Sequence, residues 1–346
     1  MNAVNAASRS ALDSRPMVRP PCIWFPLRGL TQHYGGMPQK VASRSVRHLR
    51  CRTPPVPQVP HRLRSVKIDL HAHSTASDGT ESPAELVAAA KAAGLTTIAI
   101  TDHDTTAGWD EAVEAAIHEG IGLVRGIEIS CSRDYRSIHL LGYLPDPDDP
   151  RLAIELARAR DSRVSRMDRM VQRMADDGIP ITIEEVRAQV APGATLGRPH
   201  LADALVVSGV VPDRDEAFRD LLHDGSKYYV GHYAPDPVAA IKLVRGAGGV
   251  PVLAHPFAMR TATISDEMVQ EWAAAGLGGL EAHHRDHEPA DVERAIRLAE
   301  RHHLVITGSS DYHGTGKLNR LGEFTTEPRQ WSRIVEQSHG VKVVQP

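Results

Sequence analysis

The sequence lacks the features that mark several common protein classes. It has no run of about 18 uncharged apolar residues, which excludes a membrane-spanning helix. Its three cysteines, Cys22, Cys51 and Cys131, are too few for a disulfide framework and too widely spaced for a paired thiolate zinc site. No apolar segment of about 7 to 15 residues follows the early charges, so a secretory signal is not expected. A reducing, cytoplasmic compartment is therefore expected.

Histidine is the residue in which the sequence is rich. Aromatic residues make up only 4% of the chain, whereas 19 of its 346 residues are histidine. Imidazole is the commonest metal-ligating side chain. With 41% hydrophobic residues the chain is also able to form a full catalytic core, so metal-dependent chemistry is the first class to consider.

The charge is distributed unevenly along the chain. Residues 1–64 contain 11 lysines and arginines and one acid, Asp13, whereas the remainder contains 29 bases and 42 acids. Frequent prolines and the lack of a helical or strand period predict that residues 1–64 form a disordered basic leader. Such a segment fits a transit peptide, a nucleic-acid-binding arm or translated sequence upstream of the true start. The last is favoured, because a strand pattern begins directly afterwards at Val66.

From Val66 the chain alternates short apolar strands with alanine-rich helices, which predicts an α/β fold. Seven parallel strands wrapped by helices predict a barrel. Only helical patterns occur between residues 146 and 232, which are therefore predicted to form an inserted helical subdomain. The barrel is then expected to comprise residues 65–145 and 233–346. Ser82, Pro83 and Glu85 predict a capped helix start after the first strand.

Metal-ligating side chains lie where the predicted strands end. His71 and His73 alternate with Ala72, so both point to the same side of their strand. The C-terminal ends of barrel strands converge on one face, so ligands from several strands are expected to meet in one pocket. The candidates exceed what one ion needs, which predicts two or three divalent metal ions. They are His71, His73, Asp78, His103, Glu128, His139, His255, Asp311 and His313.

Each of these residues also has a structural explanation. A His-x-His pair on a strand is a weak signal alone, and Glu128 could pair with Arg125 or Arg133. The joint placement favours the metal site, because independent structural histidines have no reason to cluster at one end of successive strands. Other histidines are expected behind the ligands or on the surface (His283, His284 and His287) or in solvent (His118, His223, His302, His303 and His339).

Together these motifs resemble the PHP (polymerase and histidinol phosphatase) family of metal-dependent phosphoesterases. The resemblance covers nearly everything after residue 65. Asp78, the insertion and Gly197-Arg198-Pro199-His200 are most similar to the branch of nucleoside 3′,5′-bisphosphate phosphatases and 5′-to-3′ exoribonucleases acting on short RNA. The resemblance implies a distorted (β/α)7, TIM-like barrel with up to three ions, manganese above iron or zinc. The motifs are His71-x-His73, Asp78, Thr101-Asp102-His103-Asp104, Gly126-Ile127-Glu128, His139, Ala254-His255-Pro256 and Asp311-Tyr312-His313.

The resemblance also implies roles for individual residues. The first ion would be held by His71, His73, Glu128 and Asp311, the second by Glu128, His139 and His255, and the third by Asp78, His103 and His313.

For catalysis, a metal-activated hydroxide would attack phosphorus, with Glu128 as the bridging carboxylate. His255, His313 or water on the third ion would protonate the leaving oxygen. Arg198 and His200 would bind a second phosphate, although a plain helix start explains them too. Tyr228, Tyr229 and Tyr233 fit base stacking or strand packing equally well.

Three function classes remain, and hydrolysis of nucleotide phosphoesters or short RNA is favoured among them. Histidinol phosphate hydrolysis is disfavoured, because that branch tends to place histidine where Asp78 stands. A non-catalytic metal or nucleic-acid-binding module would not need so many converging ligands. The negative charge after residue 64 argues against stable binding of duplex nucleic acid. The oligomeric state is left open.

Overall fold

The computed structural model describes residues 66–134, 136–258 and 264–346. The predicted leader, residues 1–64, lies outside the described residues. Seven strands form a single sheet in chain order: β1 Ile68–Asp69, β2 Thr97–Ile100, β3 Gly122–Arg133, β4 Arg136–Tyr143, β5 Val250–Leu253, β6 Gly279–His283 and β7 Val305–Gly308. The helices of the described residues are α1 Pro83–Ala92, α2 Trp109–Glu119, α3 Pro150–Asp176, α4 Ile183–Arg187, α5 Arg198–Val207, α6 Arg214–Ala217, α7 Pro237–Gly246, α8 Asp266–Ala275, α9 Pro289–Arg301 and α10 Pro328–Gln337.

The sheet curls into a distorted, nearly closed barrel. An isolated parallel bridge joins Ala72, after β1, to Tyr312, after β7, and so brings the two edges together. The predicted start of α1 is confirmed, because Ser82 and Glu85 form a reciprocal capping box with Pro83 in the first turn. The curled seven-stranded sheet and its surrounding helices confirm the α/β barrel expected from the sequence.

The expectation that all seven strands are parallel is wrong at β4. This strand runs antiparallel to both β3 and β5, while the other neighbouring pairs are parallel. Only residues 134 and 135 separate β3 from β4, and a parallel crossover needs about a dozen residues or more. The reversal brings the beginning of β4, with His139, to the end of the barrel where β3 carries Glu128.

Side-chain alternation divides each strand between the barrel interior and the surrounding helices. On β3, Leu123 and Ile127 pack against the helices, whereas Val124 belongs to a second cluster inside the barrel with Leu141 and Val252. Both faces are buried, which explains the nearly continuous apolar sequence of the strands. Glu128 follows Val124 on the interior face, so it points into the barrel near its ligand-bearing end.

The helices between residues 150 and 222 share a hydrophobic cluster of their own. Met167, Met170 and Met174 on α3 pack with Leu201 and Leu205 on α5. The first turns of α3 belong elsewhere, because Leu152 and Leu156 pack in the main barrel cluster. Helix α3 thus contributes to both cores.

The helix expected over residues 214–223 is α-helical only at Arg214–Ala217 and continues as a π-type turn. Within the described residues, no helix combines the length and apolar character needed to cross a bilayer.

Candidate metal centre

The nine predicted ligands lie together at one end of the barrel. His71 and His73 follow β1, and both rings are fully buried. Their Nε2 atoms are 3.1 Å apart and lie 3.2 and 3.0 Å from the same oxygen, Glu128 Oε2. The alternation of His71 and His73 about Ala72, just after β1, therefore brings both imidazoles to the same carboxylate oxygen.

Glu128 is at the centre of the cluster. Its Oε2 contacts His71, His73 and His103, and its Oε1 lies 2.8 Å from His139 Nδ1 and 3.2 Å from His255 Nε2. The register explains the contact with His139, because His139 pairs with Ser130, two residues beyond Glu128 on the same face of β3. The alternative partners Arg125 and Arg133 do not contact this carboxylate; Arg133 pairs with Glu271, and Arg125 donates to the Lys342 carbonyl.

Three groups of these residues have ligand atoms within 4.8 Å of one another. The first comprises His71, His73, Glu128 and Asp311; the second, His73, Asp78, His103 and His313; the third, His103, Glu128 and His139. His103 belongs to two groups, because its Nδ1 lies 3.2 Å from Glu128 and its Nε2 lies 3.9 Å from Asp78. His255 is outside the compact third group but touches the same Glu128 oxygen as His139 does.

The donor set fits divalent cations. His103 Nδ1 and His139 Nδ1 are buried and have no hydrogen-bond partner of good geometry among the described residues, although both lie near a Glu128 oxygen. These two nitrogens approach the Glu128 carboxylate without forming hydrogen bonds to it. That is the arrangement expected of ligands that share a metal ion. Imidazole and carboxylate ligands together suit zinc, iron and manganese. The chain therefore binds divalent metal.

Electrostatics keep the carboxylates ionised. Burial raises the pKa of Glu128, but the neighbouring His139, His103 and His71 hold it well below its usual range. Burial likewise opposes ionisation of Asp311 and Asp78, yet Lys317 and His313 lower the pKa of Asp311, and His313 and His103 lower that of Asp78. Burial, together with His73 and Lys317, lowers the pKa of His313 to about 4. Neutral imidazole and ionised carboxylate are the forms that coordinate metal.

Glu281 contacts two of the candidate ligands and was not among the predicted site residues. It is fully buried on β6, its Oε1 lies 3.1 Å from His71 Nδ1, and its Oε2 accepts the backbone N–H of His255 at 2.7 Å. Ser309 also donates to it. A carboxylate on the far nitrogen of a ligating histidine fixes the tautomer and raises ligand basicity. Its position near the end of a predicted strand is the one sequence feature that could have identified Glu281 as a site residue.

Lys317 and Asp102 are two further residues that the sequence did not assign. Lys317 Nζ donates to Asp311 Oδ2 at 2.8 Å. Asp102 accepts the N–H and hydroxyl of Ser74 and the hydroxyl of Ser77, and so holds the loop that carries Asp78. His284 is buried with its Nε2 3.7 Å from Asp311, which agrees with a place behind the ligands. His287 is bonded to backbone groups of Ala282 and Phe257.

Three of the six non-glycine residues with positive φ among the described residues lie at the site. Asp104, His255 and Asp311 have φ values of 54°, 26° and 52°. Non-glycine residues rarely adopt positive φ, and such strain persists only where the surroundings hold it. His255 is held by Glu281, whereas Asp104 accepts from the Ser130 N–H and pairs with Arg163 at 2.9 Å. No sequence pattern could have indicated these conformations.

The predicted substrate residues lie on the helical insertion. His200 is buried, and its Nδ1 accepts the Gly197 N–H at 3.0 Å, so it caps its own helix. Arg198 donates to Asp224 and to the Leu222 carbonyl. The insertion contacts the loop that carries Asp78, because the Thr195 N–H donates to the Ala76 carbonyl at 2.9 Å. Tyr228, Tyr229 and Tyr233 lie outside any strand, so strand packing does not explain them.

Comparison with known proteins agrees with this geometry. A family model described as the PHP domain matches residues 69–162. A 3′,5′-nucleoside bisphosphate phosphatase from Chromobacterium violaceum is 34% identical over 73% of this chain and 89% of its own length. A 5′-3′ exoribonuclease from Haemophilus influenzae is also 34% identical, over 71% of this chain and 90% of its own length.

A solved structure gives the same architecture. The crystal structure from Bifidobacterium adolescentis described as that of a metal-dependent phosphoesterase superposes with a TM-score of 0.77 at 43% sequence identity. The match covers 80% of this chain and 98% of that one. It therefore extends through both the barrel strands and the helices between residues 146 and 232.

Proposed function

The chain belongs to the PHP domain family of metal-dependent phosphoesterases, and we propose that its substrates are nucleotides carrying a 5′-phosphate besides the scissile phosphoester. Such substrates are nucleoside 3′,5′-bisphosphates, such as adenosine 3′,5′-bisphosphate, and short 5′-phosphorylated RNA cleaved from the 5′ end. The observation that carries the proposal is the cluster of Glu128 with eight further candidate ligands, joined to an insertion whose Thr195 N–H donates to the Ala76 carbonyl in the loop that carries Asp78. The names of the two relatives favour the same substrates.

We assign the ligands to two or three ions, with manganese favoured over iron and zinc. His71, His73, Glu128 and Asp311 would hold the first; Glu128, His139 and His255 the second; and Asp78, His103 and His313 the third. When bound, divalent cations supply Lewis acidity that lowers the pKa of an attacking water and neutralises charge on the phosphoryl oxygens. The preference for manganese rests on the resemblance to the PHP family, since the donor set by itself also suits zinc and iron.

The residues of the chain then position the reaction. Glu128, whose two oxygens face different groups of histidines, would hold two of the ions. The side chains of His139, His103 and His255 are 25%, 13% and 11% exposed, whereas those of His71 and His73 are fully buried, so substrate enters on the side of the first three. Of the two candidate proton donors, His255 faces this entrance more than His313, which is 3% exposed. Arg198 and His200 are the proposed contacts to the second phosphate.

A substrate panel tests the proposal. Full-length protein is assayed for phosphate or nucleotide release from adenosine 3′,5′-bisphosphate, a short 5′-phosphorylated RNA and histidinol phosphate in manganese buffer. We expect turnover of the bisphosphate, the RNA or both, abolished by chelator. Preference for histidinol phosphate would contradict the substrate assignment. Lack of turnover on all three, in protein that contains metal, would refute nucleotide hydrolysis and favour a binding module.

A further inference from the structure

The two oxygens of the Asp311 carboxylate face different kinds of side chain. Oδ1 lies 3.4 Å from the Nε2 atoms of both His71 and His73, so it faces the candidate ligands. Oδ2 accepts a hydrogen bond from Lys317 Nζ at 2.8 Å and lies 3.7 Å from His284 Nε2. Neither Lys317 nor His284 is a candidate ligand. One oxygen of Asp311 is therefore directed towards the cation positions, and the other is held by an ammonium group.

The other two candidate carboxylate ligands differ from Asp311 in this respect. Both oxygens of Glu128 lie next to imidazoles of the ligand cluster. The same is true of Asp78, whose Oδ1 lies 3.4 Å from His313 and whose Oδ2 lies 3.9 Å from His103. Among the described residues, neither Glu128 nor Asp78 forms an ion pair with a lysine or an arginine. The cation on one oxygen is therefore particular to Asp311.

The loop that follows β7 fixes the backbone on which this ion pair is built. Asn319 Nδ2 donates to the Asp311 carbonyl at 3.2 Å and to the preceding carbonyl at 2.7 Å, directly at the residue with a φ of 52°. Arg285 Nη1 donates to the carbonyl of Leu318, the neighbour of Lys317, at 2.7 Å. Both partners of the ion pair thus have a backbone that other side chains hold in place.

We propose that Lys317 is a positioning residue that restricts Asp311 to one metal-facing oxygen. A charge-assisted hydrogen bond to Oδ2 competes with a cation for that oxygen, so Asp311 would coordinate through Oδ1 alone. The ammonium also offsets part of the ligand charge, which would leave the divalent ion more Lewis acidity. The effect on turnover rests on the proposed function, whereas the effect on metal binding rests only on Asp311 being a ligand.

The proposal predicts that Lys317→Met binds metal more tightly than wild type does. The substitution removes a positive charge near a divalent cation and releases Oδ2, and both changes favour the cation. We expect the manganese dissociation constant of the full-length protein, measured by competition with a chromogenic chelator, to fall at least about 10-fold. Loss of a residue that only supported the fold would weaken binding instead. Unchanged or weaker manganese binding in folded Lys317→Met would overturn the proposal.

A structural measurement tests the coordination itself. Crystals of wild type and Lys317→Met are loaded with manganese and compared at the Asp311 carboxylate. We expect one Asp311 oxygen within about 2.5 Å of the ion in wild type and both oxygens within that distance in the variant. Two coordinating oxygens in wild type, or one in both proteins, would overturn the restriction.

Two matched variants separate the charge of Lys317 from its shape and from general effects of losing a lysine. Lys317→Arg keeps a cation on Oδ2 and should restore manganese affinity close to that of wild type. Lys227→Met removes an exposed lysine that pairs with Asp177 on the insertion, so metal affinity and turnover should be unchanged. Failure of Lys317→Arg to restore the affinity, with Tm retained, would contradict the role of the charge.

Turnover provides a separate readout. With manganese saturating, we expect kcat of Lys317→Met for adenosine 3′,5′-bisphosphate to fall about 10- to 100-fold although the metal is held more tightly. Tighter binding with an undiminished kcat would contradict the effect on Lewis acidity. If wild type turns over no nucleotide, the proposed function fails, while the chelator competition and the crystals still decide whether Lys317 restricts Asp311.

Discussion

Among individual residues, Glu128 is central to the site, because it contacts five of the other candidate ligands. Its two oxygens divide them into those of the buried side, His71 and His73, and those of the open side, His139 and His255, with His103 also on the Oε2 side. No other carboxylate of the described residues is placed between two groups in this way.

We predict that Glu128→Gln lowers kcat/KM by at least about 1,000-fold while the fold is retained. The substitution preserves shape but removes the one charge that would bridge two cation positions. The measurement is steady-state phosphate release beside metal content and Tm. The matched control is Glu271→Gln, which alters an exposed partner of Arg133. Near-normal turnover in Glu128→Gln would contradict the bridging role.

Glu281 provides a test of positioning. We expect Glu281→Gln to weaken metal affinity or activity about 10- to 100-fold, because His71 would lose the carboxylate that fixes its tautomer. Metal affinity is measured by competition with a chromogenic chelator. Unchanged metal affinity in Glu281→Gln would show that this carboxylate does not position His71.

At the scale of the element, the strand pattern predicted most of the site because alternation and strand ends are local properties. His71 and His73 could be placed on the same side of one strand from the period of two alone, and Glu128 could be placed at the end of another. The direction of β4 was not predicted, although the short connection at residues 134–135 requires it. The role of Glu281 could not be predicted, since it depends on a contact with His71, 210 residues away in the chain. Lys317 is only six residues from its partner Asp311, but it lies outside any strand or helix, so no periodic pattern placed it.

Helix α3 links the barrel to the helical insertion. Its first turns pack in the barrel core, its last turns pack in the insertion core, and Arg163 between them pairs with the fully buried Asp104. We propose that residues 146–232 form the inserted subdomain, with α3 as the element shared by both cores.

We predict that Arg163→Met destabilises the protein by about 3–5 kcal/mol, because it leaves the buried Asp104 charge without its partner. Urea unfolding of the metal-free protein measures this free energy. The double variant Arg163→Met/Asp104→Asn should recover part of the loss, since the uncompensated charge is removed. Equal unfolding free energies for wild type and Arg163→Met would show that α3 is held by its apolar contacts alone.

At the scale of the whole molecule, the ligand cluster couples stability to pH. Asp311 and Glu128 raise the pKa of His73 to about 9 against the effect of burial, so its stabilising contribution is complete below about pH 6.5 and is lost as pH rises through 9. Burial and nearby cations lower the pKa of His313 to about 4, so its neutral form stabilises the fold above about pH 6.5 and this contribution is lost as pH falls through 4.

We therefore predict that the metal-free protein is most stable near pH 6.5 and loses stability on both sides. An ion held by His73 would take the place of its proton, so manganese is expected to remove the decline in stability between pH 6.5 and 9. Thermal unfolding with chelator and with manganese across pH 4 to 9 measures the loss of stability on both sides of pH 6.5. Identical profiles with and without manganese would contradict the involvement of His73 in metal binding.

The anomalous scattering of manganese in crystals of the full-length protein would show directly whether Glu128 lies between two cations. We predict at least two peaks on opposite sides of the Glu128 carboxylate, each about 2.2 Å from one of its oxygens. One peak lies among His71, His73 and Asp311, and the other lies beside His139. A single peak away from Glu128, or no peak at this end of the barrel, would contradict the account.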